Sequence, residues 1–434
     1  MVKKLIIAII VIIIFLIAIS SYIPGLLVET PGMEGLRLIR DQVKEILRTS
    51  ERSIGISSDA KIVEQNFIVE EYVTGLSTPT TMTFIGDDIL ILEKNYGKVK
   101  LLRDGEVRDE LVLDLAVSNN NEQGTLGIIN VNSDVYIFFT ESEEDDGEPI
   151  ANNIYRYKWN GDYLVEPVLV TSLPSFGDWH NGGALTKDME GNIFAVIGDQ
   201  MGFGSIKNEY SSLQNAKNDV IDDTGIIIRV GHDEKVISPR TSVDPLDHYY
   251  AIGIRNSFGI TIDPITGFMW ATENGPEDFD EINLVEPNFN SGWPIVKGPT
   301  NNPELLDLSF KDDFFYSNPE FSWERPIAIT DLEFANSELF SEYDDILFVG
   351  DCNLGNIYQF RLNDERTGFI FNNPNLSDLI MNKTSNENTF GHESIDDILF
   401  GTGFGCITDI DFGPNGEMYV VSLSNNIIYR ISPT

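Results

Sequence analysis

The chain has 434 residues and a formal net charge of −40, from 69 acidic and 29 basic side chains. That excess argues against nucleic acid as a partner, because phosphate binding needs lysine and arginine to displace counterions. At 42% hydrophobic and 11% aromatic residues, the chain nevertheless carries too much core-forming material to be a disordered acidic tail.

At the N-terminus, Lys3 and Lys4 precede the unbroken apolar run Leu5–Ile19, and apolar residues continue with interruptions through Val28. Positive charge before such a run keeps the N-terminus in the cytoplasm and sends the chain beyond the run outside. Residues 1–30 are therefore expected to be a signal anchor or, with Ala18-Ile19-Ser20 as a small-x-small site, a cleaved signal peptide. Residues 31–61 read as a stalk or linker. Within them Leu36, Ile39, Val43, Ile46 and Leu47 fall at helical spacing and predict a short amphipathic helix, which a polar linker would also accommodate. The rest of the protein is expected to be extracytoplasmic, either membrane-anchored or secreted.

From residue 62 onward the pattern is strand and turn, supported by 36 Gly and 19 Pro along the chain. A unit recurs in which a turn is followed by a strand of apolar and aromatic residues and then a polar stop. It appears at Asp88–Glu93, Asp134–Thr140, Asn192–Asp199, Gly267–Glu273, Asp345–Asp351 and Glu417–Ser422. Several copies are followed by a second strand, as at Gly97–Leu102, Asn153–Tyr157, Gly355–Phe360 and Asn426–Ile431. Six similar units predict an all-β fold, a six-bladed β-propeller over 62–434, each sheet buried against its neighbours. Three polar insertions, 201–223, 296–320 and 363–400, are loops in which function could reside. The last holds two N-glycosylation triplets, at Asn375 and Asn382.

Two constellations carry chemistry. His180 lies in Gly177-Asp178-Trp179-His180-Asn181-Gly182-Gly183. A histidine beside a carboxylate, where glycines admit a close approach, suits proton abstraction; a histidine capping a turn would look the same. The run Glu273-Asn274-Gly275-Pro276-Glu277-Asp278-Phe279-Asp280-Glu281 offers the many oxygen ligands that Ca²⁺ takes from a bent loop, or else forms a solvated acidic face. Arg255-Asn256, just upstream, offers a planar bidentate donor for a carboxylate. The two cysteines, Cys352 and Cys406, admit a disulfide, two separate thiols, or a soft-metal site with His180.

Taken together, Gly75–Pro79, Gly124–Ile128, His180–Gly183, Gly198–Gln200, Tyr250–Asn256, Glu273–Asn283, Asn290–Pro294 and Asp411–Gly416 resemble, in order and spacing, the soluble quinoprotein glucose/sorbosone (aldose sugar) dehydrogenases. That family consists of six-bladed propellers using pyrroloquinoline quinone (PQQ) and Ca²⁺. The resemblance implies oxidation of an aldose at its anomeric carbon to a lactone, with electrons passing to an external acceptor. It implies His180 as the base, Asp199 as the carboxylate orienting it, and Asp178 as a sugar contact. Arg255, Asn256 and Asn274 would bind cofactor. The carbonyls of Gly275 and Pro276 would hold the cofactor's Ca²⁺, and Asp280 and Glu281 a second, structural Ca²⁺.

The chain also departs from the family. Where relatives carry an Arg-Ile-Arg-Asp motif facing the cofactor's carboxylates, this sequence reads Gly405-Cys406-Ile407-Thr408-Asp409. Asp351-Cys352-Asn353 stands where a cofactor-facing lysine is usual. Each missing charge-assisted hydrogen bond is worth about 1.5–3 kcal/mol, which predicts a weakened hold on a tricarboxylate. The departures open a second reading, a propeller that has lost PQQ and serves as an extracellular binding or interaction module.

Overall fold

Each of the six repeated segments forms the second strand of its own sheet in the computed structural model, which describes residues 59–64, 66–200, 223–230, 248–301, 314–381 and 395–434. The anchor segment, nearly all of the stalk, the 201–222 part of the first insertion, His232, His392 and Asn382 lie outside the described residues. Among the described residues no helix is long and apolar enough to cross a membrane.

The described residues form six sheets. In chain order their first strands are Pro79–Ile85, Thr125–Val131, Leu185–Lys187, Ile260–Ile262, Ile329–Phe334 and Ile407–Phe412. Each pairs antiparallel with the second strand of its sheet. The first strands of neighbouring sheets lie against one another, and the sixth returns to the first, so the sheets close into a ring around a central channel. The fold is an all-β propeller.

Strand periodicity explains the ring. Successive side chains point to opposite faces of a strand, so a second strand packed on both sides is apolar on both faces through its middle. In the fifth sheet Phe348 packs toward the sixth, while Leu347 and Val349 pack toward the fourth. In the third, Phe194 and Val196 face the fourth sheet, while Ile193, Ala195 and Ile197 face the second. Six clusters of buried apolar side chains result, one at each junction between neighbouring sheets. The ring is sealed by Phe67–Val73, which precedes the first sheet in sequence yet pairs antiparallel with Ile427–Pro433 in the sixth.

The first strands wall a channel cavity of 390 Å³. Their channel faces are unexpectedly acidic: Asp331 and Glu333 project from the fifth sheet, Asp409 and Asp411 from the sixth. Burial pushes the Glu333 carboxyl up to about 8 and that of Asp411 up to about 6; Asp331 and Asp409 also stand well above the carboxylate range, for the same reason.

Candidate functional site

At one end of the channel lies a second cavity, of 410 Å³, lined by residues of five of the six sheets and by the connections between sheets. His180 reaches it from the irregular segment between Leu164–Leu173 and Leu185–Lys187. Its ring Nδ1 lies 2.6 Å from Asp199 Oδ1, and both residues are buried. Asp199 follows the Ile193–Ile197 strand after Gly198, where a side chain would collide with the backbone oxygens of Arg255 and His180. The glycine thus lets two loops close on the pair. A carboxylate has no proton to give, so Asp199 selects the tautomer protonated at Nδ1 and leaves the Nε2 lone pair for a ligand. Trp293 Nε1 donates to the other Asp199 oxygen at 2.7 Å.

Arg255 lines the same cavity. Its Nη1 donates to the carbonyl of Asn274 at 2.6 Å, its backbone N–H donates to Glu273 Oε1 at 2.7 Å, and its guanidinium lies 5.3 Å above the Trp293 ring. Burial draws it below its ordinary value, opposed by the nearby carboxylates of Asp199 and Glu273. Asn256 and Asn274 are neighbours through the Asn274 N–H, which donates to the Asn256 carbonyl at 2.7 Å. Their side-chain oxygens are both buried and have no hydrogen-bond partner among the described residues.

Gly275 and Pro276 also line the cavity. The loop is bent so tightly that a Cβ on Gly275 would sit 1.9 Å from the Asp278 carbonyl oxygen. Asp280 holds it in shape, accepting from the N–H groups of Gly275 (3.1 Å), Ile327 (2.7 Å) and Ala328 (2.7 Å). Asp280 and Glu281 are adjacent on one strand and so point to opposite faces. Asp280 borders the large cavity, whereas Glu281 borders a separate one of 20 Å³ beside Glu273. Burial raises the carboxyls of Glu273 and Glu281, helped at Glu273 by the charge of Asp199 and at Glu281 by that of Glu273. Among the described residues no three His, Cys, Asp or Glu side chains are arranged to hold a metal ion, so cation binding here would rest on amide and backbone oxygens.

Asp178 is half-buried; its carboxylate accepts from Asn121 Nδ2, and it is not among the residues lining the cavity. Cys352 and Cys406 form a disulfide, which replaces the free-thiol and soft-metal alternatives. It runs from the fifth sheet to the sixth along the cavity wall, beside Asn353, Thr408 and Leu423. That wall carries no charged side chain.

Three residues that line or support the site have no role assigned from the sequence. Glu122 accepts from the His180 N–H. Lys94 borders the cavity, its Nζ donating to the Asn121 carbonyl at 2.7 Å, and burial lowers its ammonium to about 8. Trp293 stands within the Asn290–Pro294 motif, but its bond to Asp199 crosses 94 positions of sequence and leaves no local signal.

The family model of glucose/sorbosone dehydrogenase matches residues 76–428. An uncharacterised Synechocystis protein is 23% identical over 376 residues, covering 82% of this chain and 83% of its own. Quinoprotein glucose dehydrogenase B of Acinetobacter calcoaceticus is 27% identical over 300 residues, covering 64% of this chain and 60% of its own. Among solved structures, the apo form of the soluble aldose sugar dehydrogenase of Escherichia coli superposes with a TM-score of 0.64 at 19% identity, covering 85% of this chain and 100% of its own. The PQQ-bound aldose sugar dehydrogenase of Streptomyces coelicolor gives 0.58 at 18%, covering 87% and 98%. At these identities the structural likeness speaks to the fold alone.

Proposed function

The chain belongs to the glucose/sorbosone dehydrogenase family, and we propose that it oxidises an aldose at the anomeric carbon to a lactone, using PQQ and Ca²⁺ and an external electron acceptor. The observation that carries this reading is the buried His180–Asp199 pair, 2.6 Å apart, at the edge of a 410 Å³ cavity that Arg255, Asn256, Asn274, Gly275 and Pro276 also line.

The residues present fit an anionic quinone held through a cation. The orphaned amide oxygens of Asn256 and Asn274 are the hard donors that Ca²⁺ takes, and burying them without a partner is costly. Arg255 and Lys94 add positive charge at the cavity wall. Arg255, Asn256, Asn274 and the Gly275–Pro276 backbone would hold cofactor and cation. When bound, PQQ supplies the quinone that accepts a hydride.

The chain's own residues do the rest. His180 Nε2 takes the proton of the sugar's anomeric hydroxyl, a step in which a positioned base contributes about 10²–10⁴-fold. Asp199 holds the imidazole in the required tautomer and stabilises the imidazolium that forms. Trp293 in turn fixes the Asp199 carboxylate. We read each of the six sheets as one blade. We place the propeller outside the cytoplasm because Lys3 and Lys4 precede the apolar run, and because a disulfide suits an oxidising compartment.

Reconstitution with PQQ and Ca²⁺, followed by dye reduction on a panel of aldoses, tests the reading. Turnover that needs both additions, and quinone absorbance retained through gel filtration, are expected. Absence of both would overturn it. One observation favours a second reading: the neutral wall of Cys352–Cys406, Asn353 and Thr408 suits a propeller that no longer holds PQQ and acts as an extracellular binding module. The same gel filtration separates the two.

A further inference from the structure

We propose that Glu122 is the positioning residue that keeps His180 aimed into the cavity, acting more by the reach of its carboxylate as a hydrogen-bond acceptor than by its charge. The proposal rests on the reading of His180 as the base.

His180 has a φ of +57°, in the left-handed region that a residue with a side chain adopts only when its surroundings impose it. His180 itself belongs to no strand, so its N–H has no ladder partner. Glu122 supplies one: its carboxylate accepts from the His180 N–H, and its charge also faces the His180 ring. The grip is reciprocal. The Glu122 N–H donates to the Asp178 carbonyl at 3.0 Å, and Asn121 Nδ2 donates to the Asp178 carboxylate. Lys94 anchors the same segment from behind through the Asn121 carbonyl, 2.7 Å away. Glu122 itself lines the cavity beside His180.

Other buried amides hold the rest of the loop and leave this role vacant. Asn152 Nδ2 donates to Asn181 Oδ1 at 3.0 Å, Gln123 Nε2 to the Gly177 carbonyl at 3.2 Å, and Gln200 Nε2 to the Pro174 carbonyl at 2.7 Å. None of them meets the His180 backbone. Without Glu122 the His180 φ would relax toward negative values, and the ring would leave its line with Asp199.

Two variants separate reach from charge. Glu122→Gln keeps the length and an acceptor oxygen but loses the charge; Glu122→Asp keeps the charge but falls a methylene short. In the PQQ- and Ca²⁺-loaded protein, Glu122→Asp is expected to lower kcat by about 100-fold, the scale of a misplacement of about 1 Å, with KM and quinone retention unchanged. Glu122→Gln is expected to restore kcat to within about threefold of the parent, a loss below 1 kcal/mol. A second readout needs no turnover. With ¹⁵N-histidine labelling, the His180 Nδ1–H resonance, held by Asp199, should persist in the parent and in Glu122→Gln and vanish in Glu122→Asp. If the parent shows that resonance but no turnover, the catalytic reading fails while the clamp stands. Glu122→Asp retaining both kcat and the resonance, or Glu122→Gln losing them as fully as Glu122→Asp, would overturn the proposal.

Discussion

Trp293 donates its indole N–H to Asp199 at 2.7 Å while its ring lies 5.3 Å beneath the Arg255 guanidinium. One side chain therefore links the His180–Asp199 pair to the cation side of the cavity. Trp293→Phe keeps an aromatic face for Arg255 and removes the indole donor. Because a hydrogen bond to a charged group is worth about 1.5–3 kcal/mol, kcat should fall by about tenfold or more while quinone retention after gel filtration stays unchanged. An unchanged kcat would show that Asp199 is fixed by other contacts.

The neutral wall makes a quantitative prediction about cofactor affinity. Thr408 stands at the start of the Ile407–Phe412 strand and borders both the upper cavity and the channel. Among the described residues its hydroxyl makes a single long contact, 3.5 Å to the Pro79 carbonyl, so little is lost by replacing it. Thr408→Arg would place a guanidinium on a wall that carries no charge. Affinity for PQQ, followed by equilibrium dialysis in the presence of Ca²⁺, should rise by about tenfold or more. Affinity unchanged or weakened would mean that the carboxylates of a bound quinone do not face this wall.

Much of this architecture is legible along the chain, and the reason is physical. A second strand is apolar through its middle because it is buried on both faces there, and all six repeated segments read from sequence are such strands. His180 and Arg255 stand out because glycines or turns flank them, whereas Asp199 is named by the resemblance alone. The channel carboxylates do not, although Asp331/Glu333 and Asp409/Asp411 are each spaced by two, the signature of one strand face. In so acidic a chain that spacing is hard to tell from a solvated surface. Glu122 is illegible for a different reason: its meaning lies in a backbone amide 58 positions away.

The disulfide joins residues 54 apart in sequence and ties the fifth sheet to the sixth. Closing a loop of that length in the unfolded chain is worth about 4 kcal/mol in the chain-entropy account. Replacing both cysteines by serine should lower the urea midpoint, and adding reductant to the parent protein should reproduce the change. Thiol titration under denaturing conditions should find two thiols only after reduction. Two thiols without reductant would remove the bond, and an equal urea midpoint in both forms would show that the close packing of Gly355 against Gly405 suffices to hold the wall.

The channel carboxylates make stability depend on pH, and their direction sets the sign. Glu333 titrates from an ordinary 4.5 up to about 8 in the fold, and Asp411 from 3.8 up to about 6, both chiefly through burial. A group that holds its proton more tightly when folded contributes its full stability below the ordinary value and loses it as pH rises through the folded one. The protein should therefore lose stability between about pH 4 and pH 8, as charges accumulate opposite one another in the channel. Lys187 offsets this only in part, because burial lowers its own ammonium and its Nζ is bonded to the Asn130 carbonyl at 2.7 Å. Glu333→Gln retains an oxygen for the Thr261 hydroxyl and removes the titration. Partial exposure to the channel screens the effect, so Tm at pH 8 should rise by only about 2 °C, with no difference at pH 4. A gain of the same size at both pH values would assign the effect to packing, and a loss at pH 8 would show that the ionised carboxylate is stabilised by a partner in the channel.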